Sequence, residues 1–281
     1  GKQLFYDAKD TRLARDAYIS CASCHNDGGH DGRVWDLTGF GEGLRNTIGL
    51  RGRAGSQGFL HWSNNFDEVQ DFEGQIRNLA GGSGLMSNTA FTAGTRSQPL
   101  GDAKAGQSAD LDALAAYVTS LNVFAPSPLR NQDSTLTADA VAGQSLFRTK
   151  NCATCHSGTA FTNSNGNNPS NVGTLTPASG QRLGGALAGI DVPTLRDAWA
   201  TAPFLHDGSA ATLADAIRAH NNVTVSDAEL PQLTAYLQQI GSEESSAPSQ
   251  TGAGLTGSYY NGITFSGSPL LTRVEAINFD W

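Results

Sequence analysis

Two short stretches, Cys21-Ala22-Ser23-Cys24-His25 and Cys152-Ala153-Thr154-Cys155-His156, constrain this chain more than anything else in it. In C-x-x-C-H two thiols are placed to add across the vinyl groups of a haem, and the next histidine offers a ring nitrogen to the iron from the same side. The other uses of a C-x-x-C fit poorly. Zinc wants two such pairs close together in one tetrahedral set, and a redox dithiol does not need histidine directly after the second cysteine, let alone twice. The chain has four cysteines and the motifs use all of them, so no disulfide framework is left. Two copies predict two covalently attached haem c groups, with Cys21, Cys24, Cys152 and Cys155 as anchors and His25 and His156 as proximal ligands.

At 281 residues the chain is long enough for two compact domains, one per haem. A formal charge of -8, made more negative by haem propionates, argues against nucleic acid or an anionic membrane as partner. It leaves a redox partner protein or other haems. No apolar run approaches a membrane span, and no signal peptide is present. Covalent haem attachment is completed outside the cytoplasm, so the expected location is periplasmic, cell-surface or extracellular, with the leader already removed.

The arrangement ahead of the first motif, with Leu4 and Phe5, returns before the second as Leu146 and Phe147. Residues 109–118 are echoed by 227–237, each with apolar residues at helical spacing, a serine before it as N-cap (Ser108, Ser226) and acids in the first turn. The expected fold is therefore mainly α: two haem domains related by duplication, at 1–125 and 126–240. The stretch 126–134 reads as a linker, and 157–190, crowded with Asn, Gly, Ser and Thr, as an irregular loop around the second haem. A second linker, 241–254, leads to a β segment at 255–281, where Asn261-Gly262 signals a hairpin turn.

The sixth position of each iron decides the chemistry: filled, it carries electrons; open, it binds peroxide or oxygen. Besides the two proximal histidines the candidates are His30, His61, His206, His220 and the single methionine, Met86. Thr212 and Asp215 form a capping box that starts a helix, and Leu213, Ile217 and His220 share one stripe of it. Such a histidine is ordinarily a satisfied core residue. Asn65 and Glu68 can cap a second helix with Val69, Phe72, Ile76 and Leu79 inward, which holds His61 on a defined turn.

The run from Val192 to Ser209, Val-Pro-Thr-Leu-Arg-Asp through Thr201-Ala202-Pro203-Phe204-Leu205-His206-Asp207-Gly208, resembles the signature of bacterial di-haem cytochrome c peroxidases and their MauG relatives. The likeness extends over both haem motifs and most of residues 1–240. It implies two cytochrome c-like domains. In that family the electron-transfer haem takes a methionine fourteen residues after the His-Asp-Gly histidine; here that position is His220, so the second haem is expected to be bis-histidine, His156 with His220, and low in potential. His206 would be a supporting residue. Gly43-Leu44-Arg45-Asn46-Thr47 and Leu60-His61-Trp62-Ser63-Asn64-Asn65 resemble further family elements. The usual distal histidine is absent, with Phe40 and Gly41 in its place, and His61 replaces the phenylalanine that crowds the peroxidatic iron. His61 is thus the expected sixth ligand of the first haem, with His30 or Met86 as alternatives. Trp62 matches a tryptophan between the haems, and Asn46, Thr201 and Pro203 match positions that hold a calcium ion. The tail, 255–281, resembles the opening strands of a PA14 domain, which suggests either a longer protein cut here or a strand added to a neighbouring subunit in a homo-oligomer.

Three functions compete. The first is electron transfer through two six-coordinate haems. The second is a peroxidase or MauG-like oxidase with an open N-terminal haem. The third is a haem-bearing module of a larger extracellular adhesion or polysaccharide-binding protein. No Asp or Glu lies between Glu73 and Asp102, where the family's proton-moving glutamate falls, and that absence with the extra histidines favours electron transfer.

Overall fold

Helices form where apolar spacing and caps coincide. In the computed structural model, residues 1–52 and 58–241 are described in full, and the tail by the backbone of two strands. Among the described residues the helices are α1 (Lys2–Tyr6), α2 (Cys21–Cys24), α3 (Glu73–Asn78), α4 (Asn88–Thr92), α5 (Ala109–Ser120), α6 (Ala138–Thr149), α7 (Leu213–Ala219) and α8 (Glu229–Leu237). Ser108 accepts from the Leu111 N–H at the start of α5, with Asp110 and Asp112 in its first turn. Thr212 and Asp215 make the expected capping box on α7. Ser226 and Glu229 bond reciprocally, so the predicted cap is present, although the regular turns of α8 begin only at Glu229. Two small antiparallel ladders, β1 (Val34–Asp36) with β2 (Leu44–Asn46) and β3 (Gln181–Arg182) with β4 (Gly185–Ala186), complete the main body.

Two helix crossings organise this body. Phe5 of α1 meets Tyr117 of α5 edge-on at 5.2 Å, and Phe147 of α6 meets Tyr236 of α8 edge-on at 5.5 Å. Each crossing is closed by a glycine. A Cβ on Gly143 would fall 1.9 Å from the Gln232 carbonyl oxygen, and one on Gly1 would fall 1.8 Å from that of Ala113. Phe147, Phe161, Leu213, Ile217, Leu233, Tyr236 and Ile240 form the core beside the second crossing. Burial of each large side chain contributes about 1.5–3 kcal/mol.

Several expectations need correction. The stretch 126–134 is not a loose linker: Ser127 donates to the Gln238 carbonyl and Arg130 to that of Gln239, which ties it to the end of α8. Residues 1–246 accordingly form one compact unit and 247–281 another. The helix expected after Asn65 opens as a 3-10 turn, Val69–Phe72, capped by Glu68 and Asp71 rather than by Asn65, and Leu79 is exposed instead of inward. The stretch 157–190 is not wholly irregular: it holds the β3–β4 ladder and two 3-10 turns, Ser164–Gly166 and Pro177–Ser179, and a bridge between Ser170 and Ile190 stitches it. In the tail, β5 (Leu255–Tyr259) pairs antiparallel with β6 (Leu271–Glu275); the expected Asn261-Gly262 turn lies outside the described residues.

Gly143→Ala drives a Cβ into backbone at the second crossing and should lower stability by at least the ~1–3 kcal/mol typical of overpacking. Thermal unfolding of the haem-loaded protein measures this, and an unchanged midpoint would show that the crossing relaxes freely.

Candidate haem sites

In the first motif the thiols lie on α2, a single turn capped by Ser20 and Ser23, with His25 at its C-terminal end. In the second, α6 leads through Asn151, held at a left-handed φ of 62°, into a 3-10 turn, Cys152–Thr154, followed by His156. All four cysteines are free. Burial pushes the Cys24 and Cys152 thiols up to about 11, for Cys24 with help from Asp31, and raises Cys21 too. A redox-active dithiol or a thiolate zinc site needs the opposite shift. These thiols suit apolar contact with a porphyrin edge.

The second site is a preformed cradle. A cavity of about 410 Å³ is lined by Cys152, Cys155, His156 and His220, with Phe147, Leu213, Ile217 and Leu233 as apolar wall. Its size is within the roughly 300–1,000 Å³ of cofactor pockets. The His156 Nδ1 lies 3.2 Å from the Phe161 carbonyl and 3.1 Å from that of Pro193; the His220 Nδ1 lies 2.7 Å from that of Ala216. A carbonyl only accepts, so both rings carry their proton on Nδ1 and present Nε2 as a lone pair. The pair is close enough that charge on His220, second to burial, opposes protonation of His156, which is pushed down to about 4. His156 lies deep in the fold, and what surface it shows is cavity wall. Shape, anchors and two neutral imidazoles together fit a covalently held haem.

Other predicted residues gather around the same cavity. Trp62 is buried, donates its indole N–H to the Asn46 carbonyl at 2.8 Å, and accepts from the Asp191 N–H at 2.8 Å. His206 is buried; its Nε2 lies 2.8 Å from the Ser179 hydroxyl and its carbonyl accepts from the Asn46 N–H at 2.7 Å. His30 has both ring nitrogens on backbone: Nε2 faces the Ala200 carbonyl at 3.1 Å and Nδ1 the Gly32 N–H at 3.0 Å. Asn46, Thr201 and Pro203 all line the cavity. The Asn46 amide donates to the Pro203 carbonyl at 2.5 Å, while its Oδ1 is buried without a partner. That orphaned oxygen beside a carbonyl is the feature a cation would use.

His61 stands in a different setting, beside Phe66 with ring centroids 4.3 Å apart and edge-on to Phe72 at 4.9 Å. Its Nδ1 lies 2.7 Å from Asn65 Oδ1 and its Nε2 lies 3.1 Å from the Gln75 amide nitrogen. Gln75 and this use of Asn65 escape a reading of periodicity, since neither belongs to an apolar stripe. Met86 is buried, its loop clamped by Glu73, which accepts from the Leu85 and Met86 N–H groups and pairs with Arg77.

The C-x-x-C-H turns and the cavity suit the covalent haem sites of c-type cytochromes. Residues 140–241 match the model of the cytochrome c family, so this part is a cytochrome c domain with covalently bound haem. The hydrazine synthase subunit gamma of Kuenenia stuttgartiensis is 28% identical over 83% of this chain and 72% of its own length. The cytochrome c peroxidase Ccp of Escherichia coli strain K12 is 29% identical over 82% of this chain but only 56% of its own length. A MauG-like protein associated with microbial copper homeostasis shares the fold, with a TM-score of 0.56 and 23% identity over 85% of this chain and 86% of its own. The chain is thus homologous to di-haem peroxidases and to hydrazine synthase. Among the described residues no helix is long and apolar enough to cross a membrane.

The depressed His156 gives a pH dependence. Its folded-state pKa is about 4 against an ordinary 6.5, so between those values the unfolded chain takes up a proton that the native one refuses. Its contribution is fully present above pH 6.5 and declines as pH falls toward 4, by about 3 kcal/mol. An iron held on Nε2 would oppose that protonation further, so denaturant midpoints measured across this window should fall with acidity.

Proposed function

We propose that this protein is a di-haem c-type cytochrome that transfers electrons, built from two duplicated haem units on a peroxidase-like scaffold. The two glycine-closed, Phe–Tyr crossings support the duplication. The observation that carries the reading is the His156–His220 pair: two neutral imidazoles, each locked by a backbone carbonyl, lining one apolar cavity. Each haem supplies a one-electron ferric/ferrous couple. The residues do the rest. His156 and His220 would hold the iron of the second haem, the apolar wall excludes water, and Trp62 connects the second cavity to the chain segment that carries His61. His61 is the sixth ligand of the first haem in this reading. His30 is engaged by backbone on both nitrogens, and Met86 would have to leave its clamp. A calcium ion at Asn46, Thr201 and Pro203 would use the orphaned Oδ1. An exported location and a redox partner protein, with a homo-oligomer formed through the tail, complete the proposal.

The relatives' names favour a second reading, a peroxidase or MauG-like oxidase with an open first haem. Ferric absorption and EPR spectra separate the two. Wholly low-spin signals and slow reaction with peroxide are expected; a high-spin first haem that reacts quickly with peroxide would establish the enzyme instead. His61→Gly should convert the first haem, and only the first, to high spin.

A further inference from the structure

We infer that Glu42 is a positioning residue for the first haem, acting through Asn65 to fix which nitrogen of His61 is offered to the iron. The inference rests on the reading of His61 as ligand and adds the group that tunes it. Glu42 is a buried carboxylate just ahead of β2. It accepts from the Ser63 hydroxyl at 2.9 and 3.0 Å and from the Asn65 side-chain amide, and it forms an ion pair with Arg45 at 3.2 Å.

Amide and imidazole orientations are normally assigned rather than seen, but here one group removes the ambiguity. A carboxylate only accepts, so Asn65 must turn its NH₂ toward Glu42 and its Oδ1 toward His61. That oxygen, 2.7 Å from Nδ1, also only accepts, so Nδ1 carries the proton. In the neutral ring Nε2 is then the lone pair, and the Gln75 amide at 3.1 Å donates to it. The same lone pair is the one an iron takes. Gln75, Asn65 and Glu42 share the wall of a cavity of about 170 Å³, which gives the Gln75 amide room to swing aside.

His61 is held with unusual firmness. Its backbone sits at a φ of 65°, a left-handed conformation that costs of order 1–3 kcal/mol and persists only where the surroundings over-determine it. Phe66 and Phe72 fix the ring plane. A hydrogen bond from Nδ1–H to an acceptor backed by a carboxylate makes the imidazole a stronger donor, which favours ferric over ferrous iron. Such supporting partners typically change metal affinity by about 10–100-fold.

The test is spectroelectrochemistry of the intact di-haem protein. Asn65→Leu removes the acceptor, and Glu42→Gln keeps the shape while removing the charge. Each should leave both haems low-spin and raise the midpoint of the first alone, by about 59 mV for a tenfold loss of ferric preference. The second haem, unchanged, reports that the fold is intact. Because Glu42 acts only through Asn65, the double variant should shift no further than Asn65→Leu. If Asn65→Leu leaves the first midpoint in place, or if Glu42→Gln adds to it, the inference is overturned while His61→Gly still opens the iron. If His61→Gly leaves the spectrum unchanged, the ligand assignment falls and this inference with it.

Discussion

The site depends on a simple constraint: a buried imidazole must place its one proton, and the acceptor that takes it decides which nitrogen is left over. At His156 and His220 that acceptor is a backbone carbonyl. Leaving such an N–H unpaired would cost about 1–3 kcal/mol, so the ring has little freedom to turn. The carbonyls come from Phe161, Pro193 and the last turns of α7, so the 157–190 stretch and the helix beneath it act together to aim two lone pairs into one space. The apolar wall then makes protonation of His156 unfavourable, which keeps it available as a ligand at neutral pH.

The second cavity is not built by the second half of the chain alone. Asn46 and Trp62 come from the first half and line it, and Arg51 crosses to pair with the buried Asp197 at 2.8 Å. His30 adds a bond to the Ala200 carbonyl. These contacts explain why the step from one motif to the next does not divide the described body. They also tie the two C-x-x-C-H halves of the body to one another.

The paired helices and their caps were legible because each follows a local rule: an apolar period, a hydroxyl just before it and acids in the first turn. Ser108, Thr212 and Ser226 cap where the pattern places them. His220 stands out in the sequence by its helical stripe and its distance from His206; it sits just past α7, as its C-cap, and lines the cavity. The rest was hidden for physical reasons. Asn65 looks like a helix cap, but its Oδ1, the atom a cap would use, accepts from His61, and its amide NH₂ is held by the buried Glu42. Gln75 and Glu42 lie fourteen and nineteen residues from His61 in opposite directions, and only the folded loops bring them to one cavity. The stretch 126–134 has the composition of a linker, but its Ser and Arg side chains meet the unpaired carbonyls at the end of α8, which composition cannot reveal.

The two candidate ligand sets differ in kind. His156 and His220 lean on main-chain oxygens, which substitution leaves in place and which carry no charge. His61 leans on side chains, and the chain of partners ends at a carboxylate with an arginine beside it. Backbone support makes a site whose donor strength is set by the fold. Side-chain support makes one whose donor strength follows from a few replaceable residues. On a scaffold shared with peroxidases, that difference locates the freedom to change chemistry in the first site: altering Asn65, Gln75 or Glu42 would change how firmly His61 holds its place without disturbing the crossing, the second cavity or the contacts between the halves.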